Sequence, residues 1–422
     1  MKRILIIIAL VVTLVAGGLL YLQSSSNTYI GLTKDDKAIE FEYLWNELNE
    51  SYPFMSFAER SGINIKEVYE FNKTEVIKSK SDIDYLKNLT NAIRDFGGTG
   101  HLAIIAPIYH EKIYKPAYQI AKNDPELSKI MKPWINTFYD NDVVKSYSMF
   151  DINSKRFRTT KNLKKKYTSN ENKPKSNNNQ ERENLTIGYT NETKTAYLKI
   201  NSFLSVNEKL DREKLELFYK DIVDYDNLII DIRDNSGGSD LYWERLIVAP
   251  NISKQLSFNR YALVKMNDTI KPFIETRFTT DKIKPISELP NMSELNKDDV
   301  KEMTHFIKTT STVEARPNKN TFKGKIWVLT SSKNYSASEN FVMFCKNTGF
   351  ATLVGEVTNG DGGLMDPVLI KMPKSHVLVT YSALYGLNSD GSCNEEFGTS
   401  PDYLIKQGED ALTVCEQLIK KS

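Results

Sequence analysis

The sequence predicts an α/β core, preceded by a helical subdomain and an N-terminal transmembrane segment. Three patterns carry that reading. Apolar, β-branched runs at 195–200 and 228–232 flank an amphipathic stretch at 210–223. That is the strand–helix–strand spacing of a parallel or mixed sheet with crossover helices. A second set follows, with a strand at 326–330, a helix at 340–347 that stops at Gly349, and a strand at 351–355. Ahead of both, Phe41, Leu44, Trp45 and Leu48 fall on one face of a helix.

The elements can be taken in order. Lys2 and Arg3 precede an unbroken apolar run over 4–22, long enough to span a bilayer. Positive charge before it and polar residues after it give residues 1–23 the pattern of an anchor with its N-terminus in the cytoplasm. A cleaved signal peptide is the competing reading, although no A-x-A site follows the apolar core and no cysteine lies near it. Both readings place the rest of the chain outside the cytoplasm, as a membrane-anchored cell-surface protein or a secreted one. Residues 24–35 are a polar linker.

Residues 36–105 read as the helical subdomain. Its first helix ends at Tyr52-Pro53, and further helices run over 65–71 and 83–93. The last meets Phe96-Gly97-Gly98-Thr99-Gly100-His101, a glycine-rich turn into a strand at 102–105. These glycines are no phosphate cradle, because no G-x-G-x-x-G or G-K-[ST] follows a strand here. Residues 106–186 form an intervening segment. It carries Pro107, Pro116, Pro125 and Pro133, helices expected over 126–150, and a Lys/Asn-rich run over 162–184. That run cannot bury a core and reads as a solvated loop. No stretch of the segment has the strand pattern of a PDZ domain. Residues 187–422 form the core. Between its two strand–helix–strand sets lie expected helices at 241–247 and 297–307 and a strand over 260–266. Strands at 367–372 and 376–382 and a helix at 410–420 close the chain.

Composition excludes several classes. The 422 residues carry a net charge of only +2, with no basic helix interleaved with aromatics, so no nucleic-acid partner is expected. Cys345, Cys393 and Cys415 form no C-x-x-C pair, and Cys345 sits in an apolar helix where packing explains it. His101, His110, His305 and His376 show no H-E-x-x-H spacing, so neither a metal nor any other cofactor is expected.

Two turns at strand ends hold the candidate chemistry. Strand 228–232 empties into Arg233-Asp234-Asn235-Ser236-Gly237-Gly238, and strand 326–330 leads to Asn334-Tyr335-Ser336-Ala337-Ser338-Glu339. A serine at a strand-to-helix turn is exposed, with neighbouring N–H groups turned the same way, as an acyl-transfer nucleophile requires. Ser336 and Glu339 also satisfy S-x-x-E, the capping box of ordinary helices.

These two turns, with Gly355-Glu356-Val357-Thr358 and Glu395-Glu396-Phe397-Gly398-Thr399-Ser400-Pro401-Asp402 behind them, resemble the tail-specific (C-terminal processing) serine protease family, in the broad sense that includes tricorn. The resemblance covers about 187–422, and 36–105 looks like the family's N-terminal subdomain. It implies a crotonase-like ββα core and a serine-type peptidase acting on a protein or peptide. Ser336 matches the family nucleophile. The oxyanion hole falls to the N–H of Ala337 and that of Gly237 or Gly238. One branch of the family uses a lysine base, but the matching position is Asp361, which cannot stand in for it. The tricorn-like branch uses a histidine oriented by a glutamate. The matching glutamate is Glu395, with Glu396 as alternative. The family's Gly-His-Thr reads Gly97-Gly98-Thr99 here, so the histidine falls to His101, three residues beyond Gly98. His110 and His376 are less well placed. Two outcomes follow from the resemblance: a Ser336–His101–Glu395 triad, or a family member that has lost its base and binds a peptide or other ligand without cutting it.

Overall fold

The computed structural model describes residues 31–97, 99–150, 183–190 and 193–421. The apolar run 4–22, Gly98 and the Lys/Asn-rich run up to residue 182 lie outside these residues. Among the described residues no helix is long and apolar enough to cross a membrane.

Four helices open the chain: Lys34–Ser51, Met55–Arg60, Ile65–Ile77 and Asp82–Asp95. Thr33, Asn64 and Ser81 start three of them by accepting a first-turn N–H on their side chains. The short strand β1 (Ala103–Ile104) follows the glycine turn. These helices have no core to themselves. Phe41, Leu44 and Leu48 share one apolar cluster with Leu263, Val379 and Tyr381 from far along the chain. The Tyr381 hydroxyl lies 2.5 Å from Ser51 Oγ and donates to Glu47.

Helix continues from Pro107 to Ser148, further back than the expected start at 126. The prolines that blurred the pattern sit at the first or second position of successive helices. There the missing N–H costs nothing.

The main sheet comes next. β2 (Leu185–Thr190), β3 (Thr195–Ile200) and β4 (Asn227–Asp231) are joined by β8 (Lys325–Thr330), β9 (Thr352–Gly355) and β13 (Tyr403–Leu404). The order is β13-β9-β8-β4-β3-β2, with β2 antiparallel to β3 and every other pair parallel. Its side chains divide with period two. Leu228, Ile230, Val328 and Leu353 face the helix Ala337–Thr348 and its neighbours. Ile229, Trp327, Leu329 and Val354 face the C-terminal helix Ala411–Lys421. The middles of both central strands, 228–230 and 326–329, are therefore apolar without a break, as in buried parallel strands.

An antiparallel sheet, β12-β5-β7-β6, combines three strands from the segment between β4 and β8 with one from beyond β9: β5 (Leu256–Val264), β6 (Ile283–Pro285), β7 (His305–Val313) and β12 (Tyr385–Leu387). Here one expectation is corrected. The helix read over 297–307 ends at Glu302, and Ile307 lies in β7. The run from His305 is rich in β-branched residues and pairs with β5 along its whole length. A third sheet, β1-β11-β10, joins β10 (Val368–Lys371) and β11 (Leu378–Tyr381) to β1. Ala103 opposite Thr380 fixes the strand that follows His101.

The helix Ala337–Thr348 is the most deeply packed element beside the site. Phe341 is fully buried, its ring 5.8 Å from Phe203 and 5.6 Å from Trp243. Phe341→Ala is expected to cost about 3–5 kcal/mol, read as a lower urea midpoint by circular dichroism.

Candidate active site

Ser336 stands between β8 and the helix that Ala337 begins. Its backbone lies at φ 57°, ψ −126°, a conformation few residues with side chains adopt. The S-x-x-E pattern predicts a capping box, and the structure corrects it. Ser336 occupies the N-cap position but makes no side-chain capping bond. Glu339 turns instead to Asn394 Nδ2 and Thr399 Oγ1, at 2.7 and 2.5 Å. The positive φ takes the serine out of capping geometry, and among the described residues its hydroxyl has no hydrogen-bond partner.

Asn334 holds this turn to the neighbouring one. Fully buried, it donates to Ile232 O (2.6 Å), Asn235 O (3.0 Å) and Ser338 Oγ (3.0 Å), and accepts from Ser331 N–H (2.8 Å). The loop after β4 is thereby tied to the loop after β8. In that first loop Asn235 Oδ1 accepts the Gly237 N–H at 2.9 Å. The Gly238 N–H has no acceptor among the described residues. A Cβ on Gly237 would lie 3.2 Å from Ser336 Cβ and 3.3 Å from Ala337 N, so the two turns abut. Gly238 packs flush on the Phe203 backbone, where no side chain fits. As first residue of its helix, Ala337 also has an N–H with no intrahelical acceptor. Of the two glycines left open by the sequence, Gly238 is thus the one with a free amide.

The histidine side is built from three segments. Ser336 N–H donates to Gly360 O (3.3 Å), and Asp361 follows. Asp361 Oδ2 is hydrogen-bonded to His101 Nε2. The His101 ring meets the Tyr335 ring edge-on at 4.9 Å. His101 is buried at φ 54°, and Asp361 is buried at φ 60°. Among the described residues no hydrogen bond joins Ser336 Oγ to His101. Among the described residues no hydrogen bond joins Glu395 to the imidazole. Its Oε1 accepts from Gly100 N–H (2.8 Å) and the Tyr335 hydroxyl (3.2 Å), and its Oε2 is buried without a partner. Glu396, the alternative, faces outward and pairs with Arg60 at 2.7 Å.

Electrostatics follow from this packing. Burial pushes the Glu395 carboxyl up to about 8, and the neighbouring Asp361 charge adds to the rise. Burial works to lower the His101 pKa, but the Asp361 carboxylate outweighs it, with Glu395 and Asp366 adding to a net rise. The other histidines lie elsewhere. His110 stacks between Phe138 and Tyr147, and burial pushes it down to about 4, as expected of a core residue. His376 stands at φ 55° before β11. Cys345 is buried in the helix after Ser336. Among the described residues no group of three His, Cys, Asp or Glu side chains could hold a metal ion.

The profile described as peptidase family S41 matches residues 194–405, half of the chain. The chain belongs to peptidase family S41. Members of that family are serine peptidases. The match begins at β3 and ends just past β13, so it takes in both turns and Glu395 but leaves His101 outside. A candidate peptidase from Parabacteroides merdae shares the fold at TM-score 0.52 and 18% identity, over 92% of this chain and 97% of that one. A lipoprotein from Streptococcus agalactiae aligns at TM-score 0.43 and 12% identity, over 95% of this chain and 98% of that one. Mature CPAF aligns at TM-score 0.37 and 15% identity, over 52% of this chain and 49% of that one.

Within the S41 frame the sequence reading missed Asn334, Asn235 and Asp361. The signal for Asp361 was present in Asn359-Gly360-Asp361-Gly362-Gly363, an acid set among glycines. Gly237 gives a test of the serine turn. A Cβ there would press 2.8 Å from Tyr335 O at φ 118°. Gly237→Ala is expected to slow labelling of the serine by a fluorophosphonate about 100-fold, measured by gel fluorescence on protein whose circular dichroism is unchanged.

Proposed function

We propose that this S41 member hydrolyses peptide bonds through an acyl-enzyme on Ser336, with His101 as its base. The observation that carries the reading is the strained Ser336 turn set against the Gly237–Gly238 turn. A peptide carbonyl placed over Ser336 would find two free donors, the N–H groups of Gly238 and Ala337. Such donors act on the oxyanion and leave the ground-state carbonyl less well served, which is how they accelerate the step. Each supplies roughly 3–4 kcal/mol of transition-state stabilisation. The N-terminal end of the helix adds partial positive charge at the same place.

The Ser336 hydroxyl needs a base, and His101 is the histidine whose ring meets Tyr335, the residue before the serine. The contact with Asp361 occupies Nε2, so Nδ1 is the nitrogen available to the serine proton. A histidine base supports the tricorn-like branch. A strained serine beside two free amides supports chemistry over mere ligand binding, since a binding cleft needs neither. The apolar run at 4–22 supports a site of action outside the cytoplasm, at a membrane surface or in secreted form.

The test is activity-based labelling of the full chain. A fluorophosphonate is expected to label the wild type, fail on Ser336→Ala, and react at least about 100-fold more slowly with His101→Ala. Labelling that persists in Ser336→Ala would overturn the assignment of the nucleophile. Unchanged labelling of His101→Ala would overturn that of the base.

A further inference from the structure

We propose that Asp361 is the positioning carboxylate of His101, and that Glu395 serves the turn behind the histidine instead. The proposal rests on the reading of Ser336 and His101 given above.

Contact comes first. Asp361 Oδ2 meets His101 Nε2, and Oδ1 accepts from Ser382 Oγ at 3.2 Å. The Ser382 N–H also donates to Gly100 O at 2.6 Å. A single residue after β11 therefore braces the acid and the backbone next to the histidine. Glu395 spends Oε1 on Gly100 N–H and the Tyr335 hydroxyl. Its unpartnered, buried Oε2 suits a protonated acid better than a carboxylate, because a buried bare charge is costly.

The loop bearing Asp361 is fixed on both sides. Gly360 lies so close to the Asn394 carbonyl that no Cβ fits. The Gly362 N–H donates to Asn394 Oδ1 at 2.5 Å, and Gly362 O accepts from Arg260 Nη2 at 2.6 Å. Asp361 between them is held at positive φ. Among the described residues five without glycine's freedom have positive φ, and His101, Ser336 and Asp361 are three of them. Strain of this kind persists only where the surroundings over-determine it. Here it converges on one contact chain from Ser336 through the Gly360 carbonyl to Asp361 and His101.

The chemistry follows. Asp361 accepts the Nε2–H and so leaves the lone pair on Nδ1. As the Ser336 Oγ–carbon bond forms, the hydroxyl proton passes to Nδ1, and Asp361 faces the imidazolium. The same proton passes to the amine nitrogen as the carbon–nitrogen bond breaks. A water molecule then gives one proton to Nδ1 while its oxygen attacks the acyl carbon. That proton returns to Oγ as the ester bond breaks. The charged groups facing His101 are Asp361, Glu395 and Asp366. Burial pushes Glu395 up to about 8, and it ranks behind Asp361 in raising the His101 pKa. With its pKa raised, His101 becomes a neutral base only above its ordinary titration range. The acid limb of activity should therefore lie above pH ~6.5.

The experiment compares wild type, Asp361→Asn and Glu395→Gln as full chains, by fluorophosphonate labelling rate against pH. Asp361→Asn is expected to slow labelling by about 1,000-fold or more and to move the acid limb to lower pH. Glu395→Gln is expected to slow it less than about tenfold and to move the limb less than Asp361→Asn does. A Glu395→Gln loss as large as that of Asp361→Asn overturns the proposal, as does an unmoved limb in Asp361→Asn. If the wild type shows no Ser336-dependent labelling, the catalytic reading fails. The pairing is then decided alone by NMR titration of the His101 ring, where an equal pKa in wild type and Asp361→Asn overturns it. Should Asp361→Asn not fold, a wild-type His101 pKa at or below about 6.5 overturns it equally.

Discussion

Ser336 is held in a backbone conformation that costs about 1–3 kcal/mol, and the surrounding structure serves to keep it there. Its N–H is held by the Gly360 carbonyl. The turn before it is locked by Asn334, which reaches both strand ends at once. The helix after it is anchored by Phe341 and by Asn340, whose side chain joins Asp240 to Arg260. Gly237 fills the remaining side, close enough that an added methyl would collide. Relaxing the serine to the extended geometry of an ordinary N-cap would return its hydroxyl to capping and break this set of contacts.

Several carboxyl groups of the fold are poorly solvated. Burial pushes Asp366 up to about 6 and Glu395 up to about 8. It pushes Glu244 to about 7, with the Asp240 charge adding to the rise. Like charges in a poorly solvated space cannot all ionise, so some of these acids hold protons at neutral pH. Arg260, itself buried, offsets part of the charge while bracing Gly362 O. In such an interior the residue that keeps a formal partner matters more than the residue type. His101 is partnered with Asp361, and Glu395 with an amide and a phenol.

Much of this was legible in the sequence, and the reason is local. Strands β4 and β8 are buried on both faces at their middles, so residues 228–230 and 326–329 are apolar without interruption. The two turns are contiguous motifs directly after those strands. What was not legible depends on tertiary contacts. β2 is an edge strand, mostly exposed, and lacks an apolar signature. β7 follows a helix with only Met303 and Thr304 between them, and its identity comes from pairing with β5. The exchange of Glu395 for Asp361 beside His101 joins residues 260 positions apart. Glu339, read as a capping residue, is claimed by Asn394 and Thr399 from the other end of the domain.

The central claim is that Ser336 faces two amides, those of Gly238 and Ala337, which receive the oxyanion. The most direct measurement is a crystal structure of the protein after reaction with a small fluorophosphonate. The account predicts phosphorus on Ser336 Oγ, with the phosphoryl oxygen within about 3.1 Å of both amide nitrogens. A phosphoryl oxygen turned to solvent with both amides empty, or an adduct on another residue, would contradict it.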